Sequence, residues 1–308
     1  MLEMLASATG EVLRWEDLGL RNGIDLGFFT LRFYSLAYIA GLIVGYWHLS
    51  RMVKAPGAPM AQRHADDLFF YVMLGIILGG RLGYALFYQP SLFTDFSGDG
   101  FVSWQLLRLW DGGMSFHGGL IGTLIAIAYV SWKGALSFIR VCDYIAVNVG
   151  FGMMFGRLAN FINGELWGRP ADPAEVPWAM IFPTDPLGLP RHPSQLYEAT
   201  LEGLVVIAIM LPLFWYTRAR YRPGLLVGAF TALVSLGRFV SEFFRNPDEG
   251  WGEFSMQTGL NWGQWLTIPL ILVGLGLVAW ALSRPPLASA PKKPVARPAA
   301  PPASPAKK

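Results

Sequence analysis

Hydrophobic residues in this chain are collected into seven long stretches that are separated by shorter polar segments. Each stretch holds about 20 mostly apolar residues, the length that an α-helix needs to cross a hydrocarbon core roughly 30 Å thick. Inside lipid, a helix satisfies all of its own backbone hydrogen bonds. The predicted fold class is therefore all-α, a polytopic membrane protein with seven transmembrane helices near residues 27–49, 67–89, 115–132, 138–158, 195–216, 223–244 and 263–283.

The overall composition agrees with this pattern. Hydrophobic residues make up 53% of the 308 residues and charged residues only 15%, whereas soluble domains carry about 25% charged residues. The net charge of +3 is too small to indicate a nucleic-acid partner. Because the first basic residue is Arg14, the N-terminus does not resemble a cleaved secretory signal.

The basic residues predict the orientation of the chain in the membrane. Short loops that carry Lys and Arg stay in the cytoplasm. Such residues occur in the loops after the first, third and fifth predicted helices and in the C-terminal tail. With seven crossings, all of them fall on one side. We therefore expect the N-terminus on the extracytoplasmic side of the membrane and the C-terminus in the cytoplasm.

Three segments are expected along the chain. Residues 1–26 form an interfacial N-terminal segment, and residues 27–283 form the seven-helix transmembrane domain. Within that domain, residues 159–194 are rich in Pro, Gly and Trp and predict a small cap on the extracytoplasmic side. Residues 284–308 form a Pro/Ala/Lys tail, which cannot build a core and is expected to be disordered and cytoplasmic.

Cysteine and histidine usage limits the chemistry. Cys142 is the single cysteine, so the chain has no internal disulfide and no thiol pair for redox chemistry. The four histidines lack the spacing of a metal site. We expect no metal and no cofactor.

Ionisable residues inside predicted helices identify the candidate site, since each costs about 3 kcal/mol to insert. The segment GRLANFINGELWGR at 156–169 gathers two arginines, two asparagines, a carboxylate and three glycines. The planar fork of arginine suits phosphate, and glycine lets backbone N–H groups approach an anion. The segment indicates an anionic headgroup site. A helix end with arginines that reach toward the interface is the structural alternative.

Two further positions carry candidate chemistry. His117 lies where the third helix begins, directly before two glycines that leave room for a substrate. Histidine suits general-base catalysis at neutral pH, but a packing role explains this residue equally well. Arg238, Glu242 and Arg245 share one face of the sixth helix. They form either an ion-pair network between helices or part of a functional site.

These residues alone leave several functions open. A secondary transporter of an anionic solute also carries arginines near helix breaks. Against it, the polar residues concentrate toward the outer half of the predicted membrane helices, and no internal repeat is evident. A phosphatidyltransferase of the CDP-alcohol type would need an aspartate cluster, and the sequence has no DGxxAR motif. The transporter and an enzyme acting on anionic lipid remain the two main alternatives.

The longer motifs resemble a known family. GRLANFINGELWGR at 156–169 is similar to the signature of prolipoprotein diacylglyceryl transferases, and four more segments fit that family in the same order: GGRLGYALFY at 79–88, SFHGGLIG at 115–122, HPSQLYEA at 192–199 and GRFVSEFFRNPD at 237–248. The resemblance implies an inner-membrane enzyme that joins the diacylglyceryl group of phosphatidylglycerol to the thiol of a prolipoprotein lipobox cysteine. Its partners would be those two substrates and the surrounding membrane lipid. The products would be a thioether and glycerol-1-phosphate.

The resemblance also implies roles for individual residues. His117 would help to deprotonate the incoming thiol. Arg157 would hold the phosphatidylglycerol headgroup, Arg238 would contact its phosphate, and Tyr34 matches a family tyrosine near the first helix. The headgroup site would be completed by Asn160, Asn163, Glu165, Gly168, Glu242 and Arg245.

One position departs from the family pattern. Many relatives have tyrosine four residues before the arginine of the sixth helix, whereas this chain has Val234. Any role of that phenol must be absent or supplied by another side chain, and Tyr84 and Tyr197 are the candidates.

Overall fold

Helices make up most of the chain. The computed structural model describes residues 12–21, 23–27, 30–246 and 256–288. Within them lie seven helical segments of at least 18 residues: α1 (Phe33–Met52), α2 (Gln62–Phe87), α3 (Phe116–Lys133), α4 (Phe138–Ile162), α5 (Ser194–Tyr216), α6 (Leu225–Ser241, extended by a 3-10 turn to Phe244) and α7 (Trp262–Leu282). Each predicted helix corresponds to one of these segments.

The helices are apolar enough to define a membrane protein. Five of them, namely α2, α4, α5, α6 and α7, have the length and hydropathy of membrane spans. Large apolar side chains are exposed along these helices, as at Phe70, Leu86 and Leu272. Side chains of this kind are stable on an outer surface only if lipid surrounds it.

The N-terminal region differs from the prediction. α1 begins at Phe33 rather than at residue 27, because β2 (Gly23–Asp25) and β3 (Thr30–Arg32) pair as antiparallel strands just before it. Of the predicted interfacial segment 1–26, residues 1–11 and 22 lie outside the described residues. The fold is therefore mostly helical rather than purely α.

A small sheet joins the N-terminus to the segment between α4 and α5. β1 (Leu13–Arg14) pairs in parallel with β4 (Met180–Ile181), which pairs antiparallel with β5 (Pro190–Arg191). Nε1 of Trp15 donates a hydrogen bond to the carbonyl of Phe161, 2.8 Å away. This contact fixes the sheet against the end of α4, where the candidate site begins.

Glycine pairs bring the helices into close contact. On α2, Gly75, Gly79 and Gly83 face Gly118 and Gly122 on α3, and a Cβ at any of them would overlap the partner backbone. In membranes, small residues of this kind let helix backbones approach. The α2–α3 pair is consequently packed backbone to backbone.

Equivalent glycine contacts occur in two other helix pairs. Gly41 of α1 lies against Gly152 of α4, and Gly228 of α6 lies against Gly274 of α7. The apolar core lies at the end of the molecule that carries the predicted cytoplasmic loops, around Met52, Tyr144 and Phe214.

Candidate functional site

Six charged side chains from three helices form one cluster. Arg157 comes from the last turns of α4, Glu198 and Glu202 from α5, and the others from the end of α6 and the turn after it. The three glutamates are almost fully buried, and each arginine side chain is at most one quarter exposed. The arginine–glutamate cluster consists of Arg157, Arg238, Arg245, Glu198, Glu202 and Glu242.

Glu198 is the centre of this cluster. Its Oε2 lies 2.8 Å from Nε of Arg157 and accepts a hydrogen bond from Nη1 of Arg238 at 3.4 Å. Its Oε1 accepts a hydrogen bond from Nη1 of Arg245 at 2.7 Å. One carboxylate therefore links Arg157 of α4 with Arg238 of α6 and with Arg245 in the turn after α6.

The other two glutamates pair mainly with Arg238. Oε2 of Glu242 lies 3.1 Å from Nη2 of Arg238 and 3.5 Å from Nε of Arg245. Oε1 of Glu202 lies 3.9 Å from Nη1 of Arg238 and accepts a hydrogen bond from the hydroxyl of Ser241. With three positive and three negative groups, the cluster is formally neutral.

An irregular turn of α5 places the two glutamates. Residues Ala199–Leu204 form a π-helical turn between two α-helical parts. π turns are rare and occur frequently at functional sites. Gly203, inside this turn, lies against the backbone of Met154 on α4. Met154 is three residues before Arg157, so this contact brings the glutamates of α5 to the arginine of α4.

Asn160, Asn163 and Glu165 form a second polar group beside the cluster. Nδ2 of Asn160 donates a hydrogen bond to Oε1 of Glu165 at 2.8 Å, and Nδ2 of Asn163 approaches the same oxygen at 3.4 Å. Nε2 of the buried Gln195 donates to the carbonyl of Glu165 at 2.6 Å. The loop after α4 is thus held against the start of α5.

Gly168 occupies a place where no side chain fits. It pairs with Arg245 in an isolated β-bridge, and its N–H donates to the carbonyl of His192 at 2.9 Å. A Cβ at this position would overlap the carbonyl oxygen of Phe244. Gly168 therefore shapes the site through its backbone, at the point where the loop after α4 meets the turn after α6.

A buried ion pair also stabilises the segment between α4 and α5. The guanidinium of Arg191 lies 2.6 Å and 3.0 Å from the two carboxylate oxygens of Asp185 and stacks on the ring of Trp167 at 3.9 Å. Hydrogen bonds from Arg191 hold the pKa of Asp185 below its ordinary value, against the effect of burial. Burial, together with the charge of Arg169, lowers the pKa of the neighbouring His192.

The structure does not bring every predicted residue into contact with the cluster. His117 is exposed at the first turn of α3, where its ring meets the ring of Phe116 edge-on at 5.7 Å. Within the described residues, this ring makes no hydrogen bond. Tyr34 is half-buried in the first turn of α1. Among the described residues, no contact joins His117 to the arginine–glutamate cluster.

Arg81 organises the loop that leads to His117. Its guanidinium is buried and donates hydrogen bonds to the carbonyls of Gln105, Leu106, Gly112 and Gly113. These acceptors belong to the α2–α3 loop, which ends at Ser115. Arg81 therefore fixes the backbone that leads into α3.

The structure also locates the tyrosines considered in place of Val234. The hydroxyl of Tyr197 accepts a hydrogen bond from Nε1 of Trp178 at 2.5 Å. The same hydroxyl forms a hydrogen bond with Nδ1 of His192 at 3.2 Å. Tyr84 stacks on Tyr88. Both hydroxyls lie outside the arginine–glutamate cluster, as far as the described contacts show.

Sequence reasoning missed the two glutamates of α5. Both lie inside the predicted helix 195–216, and the insertion-cost argument that singled out Arg157 applies equally to them. Glu198 is also part of the HPSQLYEA motif. Arg169 was noticed only as one of two arginines in its segment, whereas it donates to the carbonyl of Arg245 and to Oδ1 of Asn261.

The arrangement suits an anionic ligand better than a metal. Three guanidinium groups meet at the carboxylate of Glu198, and each of the three arginine side chains is partly exposed. Across the described part of the chain, no group of three or more His, Cys, Asp or Glu side chains is arranged to hold a metal ion. Apolar helices around such a cluster define a multi-pass membrane protein.

Comparison with known proteins gives the family. The sequence profile described as prolipoprotein diacylglyceryl transferase matches residues 22–280, so the chain belongs to that family and is a transferase. The names of its relatives do not support the alternative that this chain is a transporter of anionic solutes.

Several relatives are similar over nearly their whole length. The phosphatidylglycerol–prolipoprotein diacylglyceryl transferase of Erythrobacter litoralis is 61% identical over 280 residues, which is 91% of this chain and 96% of the relative. The enzyme of the same name from Zymomonas mobilis is 44% identical, over 89% of this chain and 95% of the relative. The enzyme of the same name from Rhodospirillum rubrum is 45% identical, over 86% of this chain and 93% of the relative.

Proposed function

We propose that this chain transfers the diacylglyceryl group of phosphatidylglycerol to the thiol of a prolipoprotein lipobox cysteine. The observation that carries the proposal is the arginine–glutamate cluster, in which Arg157 and Arg238 are partly exposed. Relatives that are 61% and 44% identical over most of the chain bear the name of this activity. The acceptor and donor are both membrane-associated, which agrees with an apolar, helical protein.

The reaction replaces one bond to carbon with another. The cysteine sulfur attacks C3 of the diacylglyceryl group and forms a thioether, while the bond from C3 to the phosphate oxygen breaks. Its electron pair stays on that oxygen, and glycerol-1-phosphate leaves. The thiol proton is removed by a base. No acyl-enzyme is formed, so the chain needs no nucleophile of its own.

Two kinds of help are required from the protein. A cysteine thiol with a pKa near 8.5 is only a few per cent ionised at about pH 7, and the thiolate is the nucleophile. His117, exposed at the start of α3, is the proposed base. Arg157 and Arg238 stabilise the charge that gathers on the departing phosphate, as preorganised cations do in other transfer reactions.

The remaining site residues hold the headgroup. Asn160, Asn163 and Glu165 present amide and carboxylate groups next to Arg157, and these groups suit the glycerol hydroxyls of the lipid. Gly168 lets the loop after α4 approach the turn after α6. Glu242 and Arg245 hold Arg238 in place, and Tyr34 lines the approach from the first turn of α1.

The topology follows the same proposal. All seven helices cross the inner membrane, with the N-terminus in the periplasm and the C-terminus in the cytoplasm. The segment 163–193 and the small sheet then form a cap at the periplasmic surface, where a prolipoprotein presents its lipobox. The charged cluster lies at the end of the helices next to this cap, which supports the assignment of sides.

A reconstituted transfer assay tests the function. Purified protein is given phosphatidylglycerol that is radiolabelled in the glycerol of its diacylglyceryl group, together with a lipobox peptide. We expect label to pass to the peptide through a bond that resists alkaline hydrolysis, as a thioether does. A peptide with serine in place of cysteine is the control and should stay unlabelled. Folded protein that transfers no label to the cysteine peptide would overturn the proposal.

A further inference from the structure

We propose that Glu198 is a positioning residue that orients Arg157, so that both terminal nitrogens of this arginine point to the phosphate of phosphatidylglycerol. The inference rests on the proposed function and concerns the geometry of the same site. It assigns a role to a carboxylate that carries the same sign of charge as the substrate.

The three arginines differ in which nitrogen atoms they use. Arg238 uses both terminal nitrogens, since Nη1 contacts Glu198 and Nη2 contacts Glu242. Arg157 contacts Glu198 through Nε, at 2.8 Å. Within the described residues, Nη1 and Nη2 of Arg157 make no hydrogen bond to the protein. Arg157 thus keeps its terminal pair for a ligand.

A pair of parallel N–H groups is what a phosphate recognises best. Two terminal nitrogens can donate to two phosphate oxygens, which gives orientation as well as binding energy. A guanidinium on a long, flexible side chain reaches this arrangement only if its plane is fixed. Contact of Nε with a rigid carboxylate fixes that plane and points the terminal edge away from the carboxylate.

Glu198 is built to be rigid. Its side chain is 1% exposed, and both of its carboxylate oxygens are engaged by arginines from α4, α6 and the turn after α6. It ends the first α-helical part of α5 and directly precedes the π-helical turn. The carboxylate therefore cannot turn toward water when a ligand arrives.

A competing explanation predicts the opposite result. If Glu198 merely occupied the place of the substrate anion, removing its charge would strengthen lipid binding, because repulsion would be lost. If Glu198 positions Arg157, removing its charge weakens binding although the cluster becomes more positive. The sign of the change separates the two explanations.

The experiment measures lipid binding by variants of the full-length chain. Glu198→Gln keeps the size of the side chain but removes its charge. Binding of a short-chain phosphatidylglycerol to the purified protein in neutral detergent is measured by calorimetry. We expect the dissociation constant to rise about tenfold, the loss that one charged hydrogen-bond arrangement produces. Equal or tighter binding would overturn the proposal.

Glu175→Gln is the control. It removes the same charge at an exposed position of the segment between α4 and α5, outside the arginine–glutamate cluster. We expect this variant to bind the lipid as tightly as the original chain. A loss as large as that of Glu198→Gln would show a general effect of charge and would contradict the proposal.

A double-mutant cycle tests whether Glu198 acts through Arg157. Arg157→Lys removes Nε, so Glu198→Gln should change binding by less than about twofold in that background. A full tenfold loss there would assign the effect to other contacts. Glu198→Asp, which keeps the charge but withdraws it from Nε, serves if the glutamine variant does not fold; it should also weaken binding.

Failure of this inference can be told from failure of the proposed function. The transfer assay is run in parallel on the unmodified chain. If that chain transfers no label, the function is wrong, whereas the binding measurements still decide the role of Glu198. If it transfers label and Glu198→Gln binds normally, only the positioning role is wrong.

Discussion

Gly203 of α5 lies against the backbone of Met154 on α4, so closely that a Cβ on the glycine would stand 2.6 Å from the Cβ of Met154. This separation is much shorter than ordinary contact between carbon atoms. The contact lies within the π-helical turn and one helical turn before Arg157. The distance between the glutamates of α5 and the arginine of α4 therefore depends on the absence of one methyl group.

Gly203→Ala should lower transfer activity strongly while the chain remains inserted in the membrane. The added methyl group forces α4 and α5 apart, and overpacking of this kind costs about 1–3 kcal/mol. Initial rates of diacylglyceryl transfer measure the loss of activity, and thermal unfolding in detergent measures the loss of stability. Gly276→Ala is the matched control, because a Cβ at Gly276 of α7 meets nothing within 4 Å. Similar losses in both variants would show that the effect comes from glycine replacement in general.

Arg157→Lys should lower kcat/KM by about 100-fold although it keeps the positive charge. Lysine cannot donate two parallel hydrogen bonds to phosphate or contact Glu198 through Nε. Steady-state kinetics with phosphatidylglycerol as the varied substrate measure the loss. Arg218→Lys, at an exposed position after α5, should behave like the unmodified chain. If Arg157→Lys retains full activity, charge alone is sufficient at this position.

His117→Gln should produce a loss of rate that depends on pH. Near pH 7 the loss should be about 100-fold or more, the usual contribution of a general base. Toward about pH 9 it should shrink, because the substrate thiol then ionises without help. The measurement is the ratio of the transfer rate of the unmodified chain to that of His117→Gln at each pH in this range. A ratio that stays constant with pH would assign His117 a role other than proton removal.

Asp185→Asn should destabilise the cap, because it leaves the guanidinium of Arg191 buried without its carboxylate. Breaking a buried pair from one side costs about 3–5 kcal/mol. Since Arg191 lowers the pKa of Asp185, the pair stabilises the folded state above the ordinary aspartate value, and this contribution is lost as the pH falls through the lowered pKa. Thermal unfolding of both chains should therefore converge on acidification. Asp172→Asn, at an exposed carboxylate of the same segment, is the control.

The helices could be predicted because each is a local property of the chain. A stretch such as 263–283 contains all the apolar residues that a span needs, and the structure has a helix at Trp262–Leu282. The start of α1 could not be predicted in this way. Residues 27–32 are as apolar as a helix start, but Thr30–Arg32 pair with Gly23–Asp25 as antiparallel strands. Pairing of that kind depends on residues outside the apolar stretch.

The candidate site was predicted in part. Arg157, Arg238, Glu242 and Arg245 were chosen because charge is costly in a membrane, and the structure brings these four together. Their link through Glu198 is a tertiary relationship between helices that are distant in sequence. The π-helical turn that presents Glu198 and Glu202 has no signature in the residue pattern. The proposed roles of His117 and Tyr34 stay predictions.

The glycine contacts between α2 and α3 limit how this protein can move. Helices whose backbones touch at three successive turns have no cushion of side chains that could rearrange, so sliding or tilting would break contacts at all three turns. Arg81 on α2 and His117 on α3 are attached to this one rigid hairpin. The proposed base is therefore held at a constant place during turnover, and the flexible lipobox segment of the substrate has to travel to it.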